Sequence, residues 1–204
     1  MKTIKFLLKG LLLIAGAGMA MWFFMPWKQV GESLLLATIR RLQLSVTYSF
    51  VGDAPGGFVV EDLSVRNFMG VMDGSIRTLM IVPDLAASLL NMAPTCRISF
   101  TGGVLGDVAV TPLRKIPGVT IGNGRVMVSI SAQGVLLEGL RSNGELSMNG
   151  TLLIASSAYP PIRWADVTID VKSESFEQEM PALGNLLPLR QESPGRWLLR
   201  RAVN

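Results

Sequence analysis

Paired carboxylates are the residues of this sequence that come closest to catalytic chemistry. Glu61 and Asp62 are adjacent, and Glu174, Glu177 and Glu179 lie close together near the C-terminus. Two carboxyl groups act as general acid and base only when they share a pocket that perturbs their pKa values. Neighbouring residues of a strand point to opposite faces, so Glu61 and Asp62 do not converge in an extended segment. We therefore expect solvated carboxylates and no catalytic pair.

Nucleophilic and phosphate-binding motifs give no stronger signal. The chain has no histidine and one cysteine, Cys96, which excludes histidine-based triads and leaves no cysteine pair for zinc. The glycine-rich stretches at 101–107 and 120–125 lack phosphate-loop spacing and precede no helical pattern. Beyond residue 28 the lysines are Lys115 and Lys172, and neither lies in a serine–lysine motif. The sequence predicts a protein that is not an enzyme and has no metal or cofactor.

The charge distribution argues against a nucleic-acid partner. The chain of 204 residues has a formal net charge of +4 and a pI ≈ 9.6. Lys2, Lys5, Lys9 and Lys28 carry this excess, because from residue 29 onward 15 basic residues balance 15 acidic ones. A nucleic-acid surface requires basic residues clustered on the folded domain. The length and the hydrophobic content of 49% instead indicate one domain with a sizeable core.

An uncharged stretch of 18 residues, 10–27, precedes that domain. As a helix it would rise about 27 Å, close to the hydrocarbon thickness of a bilayer, about 30 Å. Three lysines precede it, and Trp22, Trp27 and Lys28 mark its far end, where Pro26 would end the helix. These flanks are typical of a membrane anchor with a cytoplasmic N-terminus.

Two alternatives to an anchor follow from the same stretch. The small residues of "AGAGMAM" have the spacing of a signal-peptide cleavage site, and an apolar helix can also be buried in a core. Apolar residues continue past that site to Met25, which favours an uncleaved anchor. We predict a cytoplasmic segment at 1–9, a single transmembrane helix at 10–27, and a domain on the far side of the membrane at 28–204.

Hydrophobic periodicity predicts a mainly β (α+β) domain with one or two short helices. "ESLLLATIRRLQ" is predicted as a helix with Ser33 as its N-cap, and "PDLAASLLNM" as a second helix starting near Pro83. Strands are predicted at "QLSVTYSF", "FVVEDLSVRNF", "GSIRTLMIV", "RVMVSIS", "ELSMNGTLLI" and "DVTIDV", with a hairpin of "CRISF" and "GGVLGDVAV". The close spacing of strands after residue 95 favours a curved antiparallel meander.

Turn signals separate the predicted strands. Asn-Gly pairs at 123–124, 143–144 and 149–150 predict tight turns, with a bulge inside one strand as the alternative for the third. "SFEQEMPALGNLLPLRQESPG" has three prolines and no periodicity. It is predicted as a loop that covers the sheet or contacts a partner, followed by a last strand, "RWLLRRAV".

One face of this sheet is predicted to be apolar. Alternation places on it the side chains of Leu44, Val46, Tyr48, Phe50, Ile98 and Phe100. Two short helices are too small to cover such a face. Either the sheet curls around a filled core, or it leaves an apolar groove for a lipid acyl chain or a partner.

The segment "IVPDLAASLLNMAPTCRISFTGGVLGDVAV" resembles the type II secretion system protein N family. The similarity includes Pro26 at the end of the anchor, and Gly57, Asp62 and Leu63 within "GFVVEDLSV". It also includes the glycine-rich stretch at 102–106 and, loosely, "PGRWLL". Similar patterns occur in AsmA-like envelope proteins, which are thought to handle lipids.

The resemblance implies a bacterial inner-membrane protein with a periplasmic domain, accessory to protein export across the outer membrane. Its partners would be other secretion-system envelope components and membrane lipids. The AsmA-like similarity adds lipid acyl chains as an alternative ligand. The resemblance transfers no catalytic residue.

Overall fold

The computed structural model of the chain describes residues 16, 20–22, 24–42, 45–68, 72–111, 114–155, 162–184 and 187–201. The helices are α1 (Trp27–Leu42), α2 (Leu85–Leu90), α3 (Glu174–Glu177) and α4 (Met180–Gly184). The strands are β1 (Ser45–Thr47), β2 (Phe50–Ala54), β3 (Gly57–Phe68), β4 (Met72–Pro83), β5 (Thr95–Thr111), β6 (Arg114–Ile116), β7 (Val119–Ser131), β8 (Gly134–Ser142), β9 (Leu146–Ile154), β10 (Ile162–Val171), β11 (Leu189–Ser193) and β12 (Arg196–Arg201).

The described strands form one 12-stranded sheet whose pairs are antiparallel. The strand order is β1-β3-β4-β5-β7-β8-β9-β10-β12-β11, with β2 paired to β3 and β6 paired to β5. Most strands pair with a neighbour in sequence, which confirms the predicted mainly β antiparallel meander. The exchange of β11 and β12 places the short strand β11 at the edge of the sheet.

Two predicted turns are wrong because the chain continues through them as strand. The predicted hairpin of "CRISF" with "GGVLGDVAV" is one continuous strand, β5, and the pair at 123–124 lies inside β7. Each strand is irregular at a glycine with positive φ, Gly102 (62°) or Gly122 (72°), where the backbone bends without reversing. The pair at 143–144 does join β8 to β9, and the pair at 149–150 lies inside β9.

The N-terminal helix differs from its prediction. Helix α1 begins at Trp27, so Ser33 lies inside the helix and is not its N-cap. Pro26 precedes the helix and its carbonyl accepts the N–H of Val30 at 3.2 Å, because proline is preorganised for the start of a helix. Most of the predicted transmembrane segment at 10–27 lies outside the described residues. Among those described, no helix combines the length and apolar character needed to cross a membrane.

The segment predicted as a loop before the last strand also differs. It contains α3, α4 and β11, and the helices are only four and five residues long. Such short helices are too short to show a 3.6-residue period, which is why periodicity missed them. Phe176 and Met180 are buried against Val171 and Trp197, so these helices cover one end of the sheet.

The core is divided between the two ends of the sheet. One cluster lies under α1 and consists of Trp27, Val51, Phe58, Val60 and Leu63. Another lies under α3 and α4 and consists of Val119, Leu146, Val171, Phe176, Met180 and Trp197. A smaller cluster of Ile162, Ala165, Val167 and Leu199 joins β10 to β12. The described helices do not cover the inner face of the sheet between these clusters.

A line of backbone irregularities crosses the sheet, and we call it the crease. It runs through Asp62 of β3, Arg77 of β4, Gly102 of β5 and Gly122 of β7, which register places side by side. Asp62, Gly102 and Gly122 have positive φ, at 50°, 62° and 72°. At such irregularities the side chains that follow are re-aimed to the other face.

Burial shows that the inward-facing set shifts by one residue at the crease. In β3, Phe58 and Val60 are buried at a spacing of two, and the next buried residue is Leu63. In β5, Phe100 is half-buried on one side of the crease, and Gly103 is buried on the other. Both halves of each long strand therefore present their apolar residues to the inner face.

Side chains satisfy backbone groups along the crease. The Gly102 N–H donates to Asn123 Oδ1 at 3.1 Å, and the Asn123 N–H donates to Asn143 Oδ1 at 2.9 Å. At the other end of the line, Ser49 Oγ has two acceptors within reach, the Glu61 carbonyl at 3.2 Å and Asp62 Oδ2 at 2.9 Å. Backbone polar groups that leave the regular ladder need such partners, so these side chains stabilise the irregular conformation.

We expect Gly102→Ala to destabilise the fold by about 1–3 kcal/mol, the cost of a non-glycine residue held in a strained backbone region. The added Cβ would also lie 2.9 Å from the Cβ of Arg77, so the crease would have to shift. Urea unfolding of the chain in detergent measures the change.

Gly74→Ala is the matched control, because a Cβ there meets only the Val104 carbonyl oxygen, at 3.7 Å. Equal stability of the two alanine variants would contradict the role assigned to the crease.

Candidate functional site

An apolar cavity of about 380 Å³, which we call the groove, lies on the inner face of the sheet between the core clusters. Its lining residues are Leu63, Val65, Gly74, Ser75, Ile76, Phe100, Gly103, Val104, Leu105, Ile121, Leu140 and Met148. Ser75 is the one polar residue among them. A cavity of this size and lining is suited to an apolar ligand.

The residues that line the groove show that the sheet is curved. It touches Leu63 of β3 and Met148 of β9, which are separated by β4, β5, β7 and β8. In a flat sheet, five steps of about 4.8 Å would place these strands about 24 Å apart. A single cavity of this volume reaches both because the sheet curves around its inner face.

Glycines make room for the aromatic ring in the groove. A Cβ on Gly124 would lie 2.3 Å from the Phe100 ring, and one on Gly103 would lie 3.2 Å from it. The ring therefore covers backbone at these two positions, and larger residues there would displace it. Phe100 is held in place by the backbone of its own strand at Gly103 and of the neighbouring strand β7 at Gly124.

The two ends of the groove merge with the core. Ile76 packs against the cluster under α1, and Leu105 packs against the cluster under α3 and α4. Leu140 and Met148 pack against the cluster that joins β10 to β12. The groove is thus the unfilled middle of one continuous apolar face.

The structure distributes the predicted groove residues over different places. Phe100 lines the groove, whereas Val46 and Tyr48 are half-buried against the cluster under α1. Phe50 lies outside the groove and is 48% exposed, with Lys28 Nζ 5.9 Å from its ring centroid. Ile98 is half-buried outside the groove and stands opposite Ile81, which packs against the cluster under α1.

The crease explains the position of Phe50. β1 ends at Thr47 and β2 begins at Phe50, so the predicted single strand is broken opposite Asp62. Inward-facing side chains change from Val46 and Tyr48 to Val51 across this break. Leu44, the first residue of the predicted apolar set, lies outside the described residues.

Sequence reasoning missed most of the lining residues. Those it missed on the far side of the crease are Leu63, Val65, Ile76, Leu105 and Ile121. Strict alternation carried across the crease assigns such residues to the wrong face. The sequence signal for the change of inward-facing residues was the pair of glycines at 102 and 122. Glycine is equally common in turns, so this signal was ambiguous.

Another cavity, of about 500 Å³, lies on the outer face of β4, β5, β7 and β8. Register aligns two rows of its lining residues, Met80, Ser99, Arg125 and Arg141 in one and Val82, Arg97, Met127 and Glu138 in the other. Arg125 and Arg141 stand directly opposite each other, an unfavourable like-charge pair. The outer face is basic here, in contrast to the apolar groove.

The carboxylates noted in the sequence are exposed or accept hydrogen bonds that stabilise the fold. Glu61 and Asp62 are both exposed, and Asp62 accepts from Ser49. Glu177 accepts the N–H of Gly195, which ties α3 to the turn between β11 and β12. Glu174 is exposed at the start of α3. Glu61 and Asp62 line neither the groove nor the outer-face cavity between β4 and β8.

Two groups near the start of β5 have shifted pKa values. The Ala87 N–H donates to the Asp84 carboxylate at 3.0 Å and Arg97 donates at 2.9 Å, and these bonds hold the pKa of Asp84 below its usual range. Burial raises the pKa of the Cys96 thiol. A thiol with a raised pKa is a poor nucleophile, because the thiolate is the reactive form.

The predicted anchor flanks that the structure describes contact the domain. Trp27 is 4% exposed and stacks edge-on against Trp22, with ring centroids 4.6 Å apart. The Trp27 Nε1–H donates to the Trp22 carbonyl at 3.2 Å, and the Lys28 N–H donates to Asp53 Oδ1 at 2.7 Å. Lys2, Lys5 and Lys9 lie outside the described residues.

We expect Cys96 to react with iodoacetamide at least about tenfold more slowly in the folded chain than in urea, because burial disfavours the thiolate. The rate is measured near neutral pH by mass spectrometry.

The comparison is a Cys96→Ala, Ser193→Cys variant, whose thiol lies at an exposed strand end and should react at similar rates in both conditions. Equally fast reaction of Cys96 before and after unfolding would contradict its burial.

Comparison with known proteins gives one family. The family model described as "Type II secretion system protein GspN-like, Synergistales" matches residues 4–201. No curated protein and no solved structure matches the chain. The match covers nearly the whole chain, including every strand that lines the groove.

Proposed function

Because the chain belongs to the GspN-like family of type II secretion system proteins, as its sequence resemblance predicted, we propose that it is a non-enzymatic accessory subunit of a type II secretion system. The family match over residues 4–201 is the observation that carries this proposal. The subunit acts as a scaffold that binds other envelope components of the system.

The proposed topology places the chain in the bacterial inner membrane. Residues 10–27 form the anchor, with the lysines at 2, 5 and 9 on the cytoplasmic side and residues 28–204 in the periplasm. The absence of any charge in this stretch and the position of the lysines support the assignment. The burial of Trp27 supports direct attachment of the domain to the anchor, without a linker.

The edge strand β11 is the proposed docking site for a partner. It pairs with β12 on one side, and no strand of the described residues pairs with its other side. Four of its five residues are exposed. An unpaired edge offers backbone N–H and C=O groups to an added strand of a partner. The opposite edge differs, because α1 packs beside β2 and β3 there.

A photo-crosslinking amino acid at Gln191 of β11 should give covalent adducts with secretion-system components in intact cells. A matched probe at Thr101, which is exposed on the central strand β5, should give at least about fivefold less, since both edges of that strand are already paired.

Immunoprecipitation followed by mass spectrometry identifies the adducts. Adducts of Gln191 that contain no secretion component would count against the scaffold function. Equal yields of the same components at both positions would count against the β11 edge.

The groove favours a second candidate function, a lipid-handling role like that thought to operate in AsmA-like proteins. The groove is apolar, open and long enough to contact six strands, which suits an acyl chain. In this role the chain would bind lipid acyl chains from the membrane that holds it.

Filling the groove tests the lipid role. Gly74 lies opposite Val65 and Leu105, which line the groove, so a side chain at this position would project into it. We expect Gly74→Phe to reduce co-purified lipid at least about fivefold, because its ring occupies the cavity. Native mass spectrometry of the detergent-extracted chain measures the bound lipid.

Gly74→Ala controls for the loss of glycine and should retain the lipid, because its methyl group fills little of the groove. A wild-type chain without lipid, or undiminished lipid on Gly74→Phe, would exclude the groove as an acyl-chain site.

A further inference from the structure

Large apolar side chains are exposed together at one end of the sheet, and we call this end the apolar tip. Its members are Leu85, Leu89, Leu90, Met92 and Ile130, together with Met21, Phe24 and Met25 of the N-terminal segment, and they are 40–95% exposed. Single exposed apolar residues are ordinary on a protein surface, but a contiguous group indicates an interaction surface.

Topology and contacts bring these residues to the same end. In an antiparallel sheet, the β2–β3, β4–β5 and β7–β8 connections all lie at one end of the strands. The Ile130 N–H donates to the Pro94 carbonyl at 2.9 Å, which joins the β7–β8 connection to that of β4–β5. A Cβ on Gly56 would lie 3.5 Å from Trp22 Nε1 and 3.9 Å from Val82 Cγ1, so the N-terminal segment meets both strands here.

The charge distribution distinguishes this end from the other. Its described connections are residues 55–56, 84–94 and 132–133, and Asp84 is the one charged residue among them. Asp84 is paired with Arg97 at 2.9 Å. The connections at the opposite end contain Glu145, Lys172, Glu174, Glu177 and Glu179. Connections whose one charged residue is held in an ion pair are suited to an apolar environment.

Met92 combines a left-handed backbone conformation with an exposed apolar side chain. The Ala93 N–H donates to the Ser88 carbonyl at 3.1 Å and the Met92 N–H to the Leu89 carbonyl at 3.4 Å, which closes α2 with a Schellman motif. Met92 occupies its left-handed position, with φ of 47°, where glycine is the usual residue. Its side chain is 95% exposed. A strained backbone that holds an apolar side chain in solvent points to a binding role.

We propose that the apolar tip inserts into the interface of the lipid bilayer that holds the N-terminal anchor. The inference rests on the proposed anchor, since the uncharged stretch at 10–27 leads directly into the tip through Trp22. The bilayer is the occupant because the tip is continuous with that stretch and its described connections carry no charge other than Asp84, which is paired with Arg97. Apolar side chains on a short amphipathic element bury in the interface in this way.

Fluorescence quenching tests the insertion in the full-length chain. In a Cys96→Ala background, Leu89→Cys is labelled with an environment-sensitive fluorophore, and the chain is reconstituted in phosphatidylethanolamine–phosphatidylglycerol vesicles. We expect a lipid-attached quencher to reduce emission at residue 89 at least about threefold more than at Ser193→Cys. Ser193 is exposed next to the β11–β12 turn, at the opposite end of the sheet.

The outcomes separate the tip from the anchor. A chain that alkaline extraction releases from the vesicles would overturn the anchor and, with it, the insertion. A retained chain whose residue 89 is not quenched would overturn the insertion alone. A fluorophore at residue 89 whose emission indicates an apolar environment, but which the lipid-attached quencher does not quench, would also overturn the insertion. A protein or a second copy of the chain would then cover the tip.

Met92→Gly provides a variant that should fold. Glycine relieves the left-handed strain, so the thermal midpoint should stay the same or rise, while quenching at residue 89 should fall. Unchanged quenching together with a raised midpoint would show that Met92 does not contribute to insertion and would contradict its assigned role in the tip.

Discussion

The hydrogen bonds along the crease are the constraint on which the rest of this structure depends. Asn123 and Asn143 accept backbone N–H groups where the regular ladder is interrupted, and Gly102 and Gly122 supply the left-handed conformations. Without this shift, one half of each long strand would turn its apolar residues to the outer face. The crease therefore decides which side chains form the inner face over strands as long as 17 residues.

The inner face that results is covered unevenly. Helix α1 buries Phe58 and Val60 at one end, and α3 and α4 bury Leu146 and Trp197 at the other. Among the described residues no helix lies over the inner face of the strands between them, so the groove is a direct consequence of this uneven coverage. The exchange of β11 and β12 leaves one side of β11 without a partner strand among the described residues, and this edge is the proposed docking site. The proposed scaffolding and lipid-handling roles would use different parts of the fold and do not exclude each other.

The sequence was informative where alternation was local and misleading where it crossed the crease. Strands β3, β4, β9 and β10 follow from the spacing of their apolar residues, and the family resemblance followed from a segment within β4 and β5. Phe50 was misplaced because its strand is broken opposite Asp62, a non-glycine residue with positive φ that composition does not reveal. Asn-Gly at 123–124 has the composition of a turn, yet its neighbours in β5 and β8 hold it in a strand. Such outcomes depend on contacts between distant strands.

The burial of Trp27 has a mechanical consequence for an anchored chain. The indole of Trp27 is enclosed by the domain, and the N–H of its neighbour Lys28 donates to Asp53. The proposed anchor and the sheet are therefore joined without a flexible linker. Tilt and rotation of the anchor would be transmitted to the domain as in a rigid lever. Strand β3 alone, with 12 residues, extends about 40 Å at about 3.3 Å per residue. Every copy would then hold its distal end at a similar height above the bilayer, and partners would meet it within one thin layer.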